Sequence, residues 1–144
     1  MSELFVVDSG ALGALASDDT RMRRVLHNIA RDGGFICVPA VVVAECYGDF
    51  RHNTHYDRAL KALGGAERVV ANTTIKIAKE AGRILRAADM KETVDAIVVA
   101  TAALSPVRAT IVTSDRSHIE DLVCCVQRDL GIIYLNDVPA EKPR

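Results

Sequence analysis

Short apolar runs alternate with longer stretches of helical periodicity along this chain. Leu4-Phe5-Val6-Val7 is a compact apolar block and predicts a buried strand. Asp8-Ser9-Gly10 follows at once, and 11–16 reads as a short helix. Asp18 or Asp19 is placed to cap a second helix reaching Arg31, which Gly33-Gly34 ends. A second strand is expected over 35–38, with Pro39 in the first turn of a helix running to about Tyr47. Residues 48–53 are polar and read as a loop, and 55–63 as a helix stopped by Gly64-Gly65. A third strand is expected over 68–71. Thr73 or Thr74 then opens a helix whose apolar positions Ile77, Ala81, Ile84 and Leu85 recur at helical spacing. After a break over 89–92, Thr93 is expected to cap a nearly all-apolar helix over 94–104, the pattern of a buried helix. Pro106 lies beyond its end. A strand over 109–113, a helix over 119–125 and a strand over 132–135 complete the order, before a polar tail from Pro139.

Strands that alternate with helices predict an α/β fold, a three-layer α/β/α sandwich around a mostly parallel central sheet. A chain of 144 residues suits one domain, expected over 1–138 with a polar tail over 139–144. At 49% hydrophobic and 26% charged it carries enough apolar material for a core, which excludes the disordered class. No apolar run approaches the roughly 20 residues of a membrane span. No basic segment precedes a longer apolar stretch near Leu4, so the expected location is cytoplasmic. Cys37, Cys46, Cys124 and Cys125 form no CxxC pair, and they read as thiols in a reducing compartment rather than a disulfide framework.

Eighteen basic and 19 acidic residues leave a net charge of −1, which by itself neither favours nor excludes a nucleic-acid partner. The distribution is uneven. Arg21, Arg23, Arg24 and Arg31 cluster early, and Lys76, Lys79, Arg83 and Arg86 share a later helix. Arg21, Arg24 and Arg31 are candidates for RNA phosphate contacts, although a solvated helix face explains them more simply.

The acids carry the chemistry. One strand runs directly into Asp8, and another runs through Thr113 and Ser114 into Asp115. In an open parallel sheet, ligands bind outside the carboxyl ends of the strands, where both would sit. Glu45 interrupts Val41-Val42-Val43-Ala44-Glu45-Cys46, and Asp95 interrupts Thr93-Val94-Asp95-Ala96-Ile97. An ionised carboxylate is rarely buried without a partner, and no lysine or arginine is obviously placed beside each. A divalent cation would satisfy several at once, and all-oxygen donors suit Mg²⁺ or Mn²⁺. Each acid also has a plainer explanation. Asp8 and Asp115 suit caps or turns, Asp95 complements a helix dipole, and Glu45 could face solvent. His52 and His55 with Cys46 lack the four grouped ligands of a structural zinc site. The chain has no phosphate-binding glycine loop, and Ser9 lacks the setting of a hydrolase nucleophile.

Val7-Asp8-Ser9-Gly10-Ala11-Leu12, Val38-Pro39-Ala40 leading to Glu45, Val94-Asp95-Ala96-Ile97-Val98 and Thr113-Ser114-Asp115 together resemble the four motif blocks of PIN-domain proteins, in order and spacing and over nearly the whole chain. The likeness is to the VapC-like toxins of bacterial toxin–antitoxin pairs. The resemblance implies a PIN-like sandwich and a Mg²⁺- or Mn²⁺-dependent endoribonuclease with Asp8, Glu45, Asp95 and Asp115 as its acidic quartet. It further implies a homodimer restrained by a small antitoxin protein. Ser9, Thr113 and Ser114 are the expected neighbours of substrate or of the metal-bound carboxylates. Related chains often carry Asp three residues before the third acid, where this one has Glu92, and some carry an acid shortly after the fourth block, where this one has His118. Two rivals remain: a non-catalytic PIN-like module that binds RNA or protein, and a phosphatase- or receiver-like α/β domain.

Overall fold

A computed structural model describes residues 2–48, 53–114 and 117–139, apart from the Ser117 side chain. The chain runs β1 (Leu4–Val7), α1 (Ser9–Ala16), α2 (Thr20–Arg31), β2 (Phe35–Pro39), α3 (Ala40–Tyr47), α4 (Asn53–Ala62), α5 (Ala66–Val69), β3 (Val70–Ala71), α6 (Ile75–Ala88), α7 (Thr93–Ala103), β4 (Ala109–Thr113), α8 (Ser117–Val123) and β5 (Gly131–Tyr134), then a 3-10 turn over Leu135–Asp137. The strands form one sheet in the order β3-β2-β1-β4-β5, and every pairing is parallel. The expected α/β sandwich is therefore what the chain adopts.

Parallel sheets are covered on both faces, which is why their strands read as continuous apolar runs rather than alternating ones. β4 is buried at all of its positions, and Val6, Val7, Val38, Ile111 and Val112 are at 0% exposure. Each such side chain contributes on the order of 1.5–3 kcal/mol through removal from water. α7 packs against β1, β2 and β4 and buries Ala96 through Ala100, so its lack of a polar face reflects a central position. Most helix contacts fall into two groups, α1 to α4 on one hand and α6 to α8 on the other, with α3 and α7 touching across them. Right-handed crossovers explain the division, because the chain moves outward from β1 to β3 and then returns to the opposite side through β4 and β5.

The capping expectations divide. Asp19 caps α2 and Thr74 caps α6, each accepting from a backbone N–H of the first turn. Asp18 instead takes the left-handed conformation at φ 57°, between α1 and α2. Thr93 is not a cap: Glu92 holds that position without a capping bond, and Thr93 Oγ donates to the Lys91 carbonyl. Pro39 ends β2 and precedes α3 instead of lying inside its first turn. The third strand is only Val70–Ala71, because Ala66–Val69 turns as a helix after Gly64 and Gly65, both at positive φ. The last strand begins at Gly131 and ends one residue before Leu135, whose buried side chain instead anchors the 3-10 turn.

Asp19 also pairs with Arg21, and that hydrogen bond chiefly holds its carboxyl below the ordinary value of 3.8. A depressed folded-state pKa adds stability above the unfolded value and loses it as pH falls through the folded one. Asp19→Ala should lower stability by about 1 kcal/mol at neutral pH. In chemical denaturation, the gap to the parent should persist down to the ordinary carboxylate value of 3.8 and close only below it.

Candidate metal-binding site at the sheet's carboxyl edge

The chain order reverses between β1 and β4, so the switch point of the sheet lies where these two strands meet. Their register pairs Val7 with Val112. Asp8 therefore leaves β1 beside Thr113, the last residue of β4, and its backbone N–H donates to the Val112 carbonyl at 3.2 Å. Asp8 is 4% exposed and Thr113 is fully buried.

Asp8 is also the N-cap of α1, with Oδ1 accepting from the Ala11 N–H at 2.9 Å. The cap explanation is thus correct, and it orients the carboxylate at the strand's end. Ser9 follows in the first turn, and its Oγ is buried with no hydrogen-bond partner among the described residues. Gly10 comes next. A Cβ there would lie 2.0 Å from Ser114 Oγ and 3.6 Å from Asp8 Oδ1, so glycine is what lets the β4 exit close against α1. The Asp8 carboxylate and the Ser114 hydroxyl consequently flank Gly10 on the same side.

Glu45 lies on α3, which packs against α1 and α7. Its surroundings correct the picture of an acid trapped in an apolar helix: α3 buries only Val42 and Cys46, and Glu45 is exposed. Asp8 and Glu45 are nevertheless neighbours of the same thiol. Burial chiefly pushes Cys46 up to about 11, and the two carboxylates add to the rise. Cys46 Sγ donates to the Ser9 carbonyl at 3.7 Å, as a protonated thiol does. Cys37 is likewise pushed up to about 11 by burial. Asp95 is half-buried in the first turn of α7. His118 stands in the first turn of α8, 3.7 Å from Glu92, whose other oxygen accepts from the Lys91 N–H.

Asp115, the fourth expected acid, lies outside the described residues, as does His52. Among the described residues no three His, Cys, Asp or Glu side chains group closely enough to hold a metal. What those residues do offer is a buried carboxylate and a hydroxyl, Asp8 and Ser114, beside Gly10, with the unpartnered buried Ser9 Oγ on the same turn of helix. That donor set is all oxygen, which fits a hard cation. One participant gives no signal in the sequence. Asn136, in the turn after β5, donates from Nδ2 to the Ser114 carbonyl at 3.4 Å across 22 residues.

An α/β domain with a buried acid, Asp8, at the switch point of a parallel sheet is the class of molecule described so far. A family model for the PIN domain matches residues 5–121, and the chain belongs to that family. PIN domains are, as a family, nucleases that generally use divalent metal ions. No curated protein sequence matches the chain significantly. Among solved structures, the chain resembles VapBC2 from Rickettsia felis bound to a promoter DNA fragment, at 14% identity and TM-score 0.67, covering 91% of this chain and 98% of that one. It also resembles FitAcB from Neisseria gonorrhoeae, at 15% identity and TM-score 0.65, with 93% and 99% covered. A third is DNA-bound VapBC from Salmonella typhimurium, at 16% identity and TM-score 0.64, with 94% and 99% covered. At these identities the likeness is one of fold. Among the described residues no helix is long and apolar enough to cross a membrane.

The thiols provide a check on the local packing. At pH 8, iodoacetamide should modify exposed Cys124 readily in the folded protein and leave Cys46 and Cys37 untouched, with all four reacting in denaturant. Peptide mapping by mass spectrometry reads the outcome. Rapid native labelling of Cys46 would mean that α1 and α3 do not pack as described.

Proposed function

We propose that this chain is a Mg²⁺- or Mn²⁺-dependent endoribonuclease that hydrolyses RNA phosphodiester bonds and acts as the toxin of a VapBC-type toxin–antitoxin system. The observation that carries the proposal is the β1–β4 pairing, which sets buried Asp8 beside the exit of β4 at the switch point of a PIN fold. In this reading Asp8, Asp95 and Asp115 hold the cation directly, and Glu45 assists through a water or as general base. When bound, a divalent cation supplies a more acidic water and offsets charge on the scissile phosphate.

The chain's own groups would then divide the work. The cap bond from Ala11 keeps the Asp8 carboxylate in one orientation, so less ordering is needed when ligand arrives. Glu45 is exposed on α3 and accessible to a water, as a proton acceptor must be. Ser9 Oγ has hydrogen-bonding capacity to offer substrate or a carboxylate. Thr113 and Ser114 would steady the adjoining acid. The rival of a non-catalytic PIN-like module predicts a broken quartet, and here Asp8, Glu45, Asp95 and Asp115 are all present in the sequence. A phosphatase would release phosphate from small monoesters, whereas this chain should require a polynucleotide.

The solved relatives are VapBC and FitAB assemblies, and this supports a small antitoxin protein as partner. A homodimer is the proposed state of the toxin. A short neighbouring reading frame encoding a DNA-binding protein is the genomic observation that would agree with this partner.

Asp8→Asn is the sharpest test, because asparagine caps a helix about as well as aspartate and so should preserve the fold. Loss of groups that merely support a metal ligand costs 10–100-fold, so loss of a direct ligand should cost at least on the order of 100-fold in RNA cleavage. The parent should cut RNA only with added Mg²⁺ or Mn²⁺ and stop in chelator. Equal cleavage by Asp8→Asn and parent, at matched thermal stability, would end this assignment.

A further inference from the structure

Of the early arginines, Arg21 differs from its neighbours in where it sits. Arg31 pairs with Asp32 at the far end of α2, about 15 Å away along the helix axis at 1.5 Å per residue. Arg23 and Arg24 are exposed. Arg21, at the N-terminal end of α2, points its guanidinium into a chain of contacts that leads to the carboxyl edge of the sheet. Nη1 donates to Asn136 Oδ1 at 3.4 Å, and Asn136 Nδ2 donates to the Ser114 carbonyl at 3.4 Å. The Ser114 hydroxyl in turn abuts Gly10 next to Asp8.

The guanidinium is held from two sides. Nε and Nη2 donate to the two oxygens of Asp19 at 3.4 and 3.2 Å, while Asn136 takes Nη1. A guanidinium has five N–H donors. Two of them are therefore uncommitted among the described residues, on a side chain 36% exposed. A planar, charged fork fixed in orientation, with donors to spare, suits a phosphate and pays little ordering entropy on binding. An RNA strand lying across the proposed site carries a phosphate at every nucleotide, so the phosphates beside the one cut must pass its rim.

We propose that Arg21 grips a non-scissile phosphate of the RNA strand, with Asp19 and Asn136 as positioning residues that hold its fork at the site's edge. The proposal rests on the ribonuclease reading for the substrate's identity, but its test does not require cleavage. Binding of a fluorescent single-stranded RNA is followed by anisotropy in chelator over a salt series, with the parent, Arg21→Gln, Arg21→Lys and Asn136→Ala, alongside thermal melting. Arg21→Gln should weaken binding about tenfold and flatten the salt slope by about 0.7, the share of one phosphate contact on a single strand. Arg21→Lys should keep the slope and recover only part of the affinity, since it retains the charge without the fork. Asn136→Ala should weaken binding at unchanged slope. An unchanged slope in Arg21→Gln, or equal losses in Arg21→Gln and Arg21→Lys that follow a lower melting temperature, overturns the proposal. A parent that binds RNA with the expected slopes but never cuts it in Mg²⁺ would refute the nuclease reading and leave the Arg21 contact standing. A parent that does not bind RNA refutes both.

Discussion

Everything at the carboxyl edge depends on the parallel pairing of β1 with β4. These strands lie 105 residues apart at Leu4 and Ala109, yet they form adjacent rungs at the centre of the sheet. Burial on both faces enforces the pairing. Val6, Val7, Ile111 and Val112 have no exposure, so a slip by one residue would exchange the faces these side chains fill and disturb both helical layers. The same register sends the chain out of both strands at neighbouring points. The apolar core thereby decides which polar residues meet, without any polar contact having to hold them together.

Asp8 shows how one carboxylate serves both stability and chemistry. Its backbone extends the ladder to Val112, its carbonyl receives the first helical bond from Leu12, and Oδ1 caps α1. A carboxylate at 4% exposure would be costly if unsupported, and the cap supplies part of what water no longer does. Cys46 beneath it remains a thiol, because burial and the neighbouring negative charges disfavour the thiolate. The space is consequently hard, oxygen-lined and negatively biased. All-oxygen donors favour a hard divalent cation. Gly10 completes it by omission, since a side chain there would meet the Ser114 hydroxyl.

The sequence was most legible where a local pattern and the tertiary environment demanded the same thing. The β1 and β4 blocks, the largely apolar α7, and the caps Asp19 and Thr74 were readable because each rests on contacts within a few residues or on burial from most sides. It was less legible where two local preferences competed. Pro39 suits a first helical turn, but the ladder with Ala71 keeps it in β2. The strand expected over 68–71 is helical through Val69, because Ala66, Glu67 and Arg68 favour helix and the positive-φ glycines before them start the turn. Glu45 looked stranded in an apolar run, yet a helix at a sheet's rim has an outer face, and Glu45 is on it. Asn136 carried no signal, because its significance is a contact with Ser114 that only the sheet creates.

Periodicity and strand-end placement therefore determined the α/β class and the alternation of elements, while acids set in apolar runs and the motif resemblance raised the suspicion that Asp8, Glu45, Asp95 and Asp115 belong together. Those features are local, set by which residues can be buried and which must cap or turn. Only the tertiary structure decided that β1 and β4 are neighbours, that Ser114 closes on Gly10, and that Arg21 of α2 reaches the same edge through Asn136. Strand order and long-range approach come from packing two helical layers onto one twisted sheet. No window of adjacent residues contains that information.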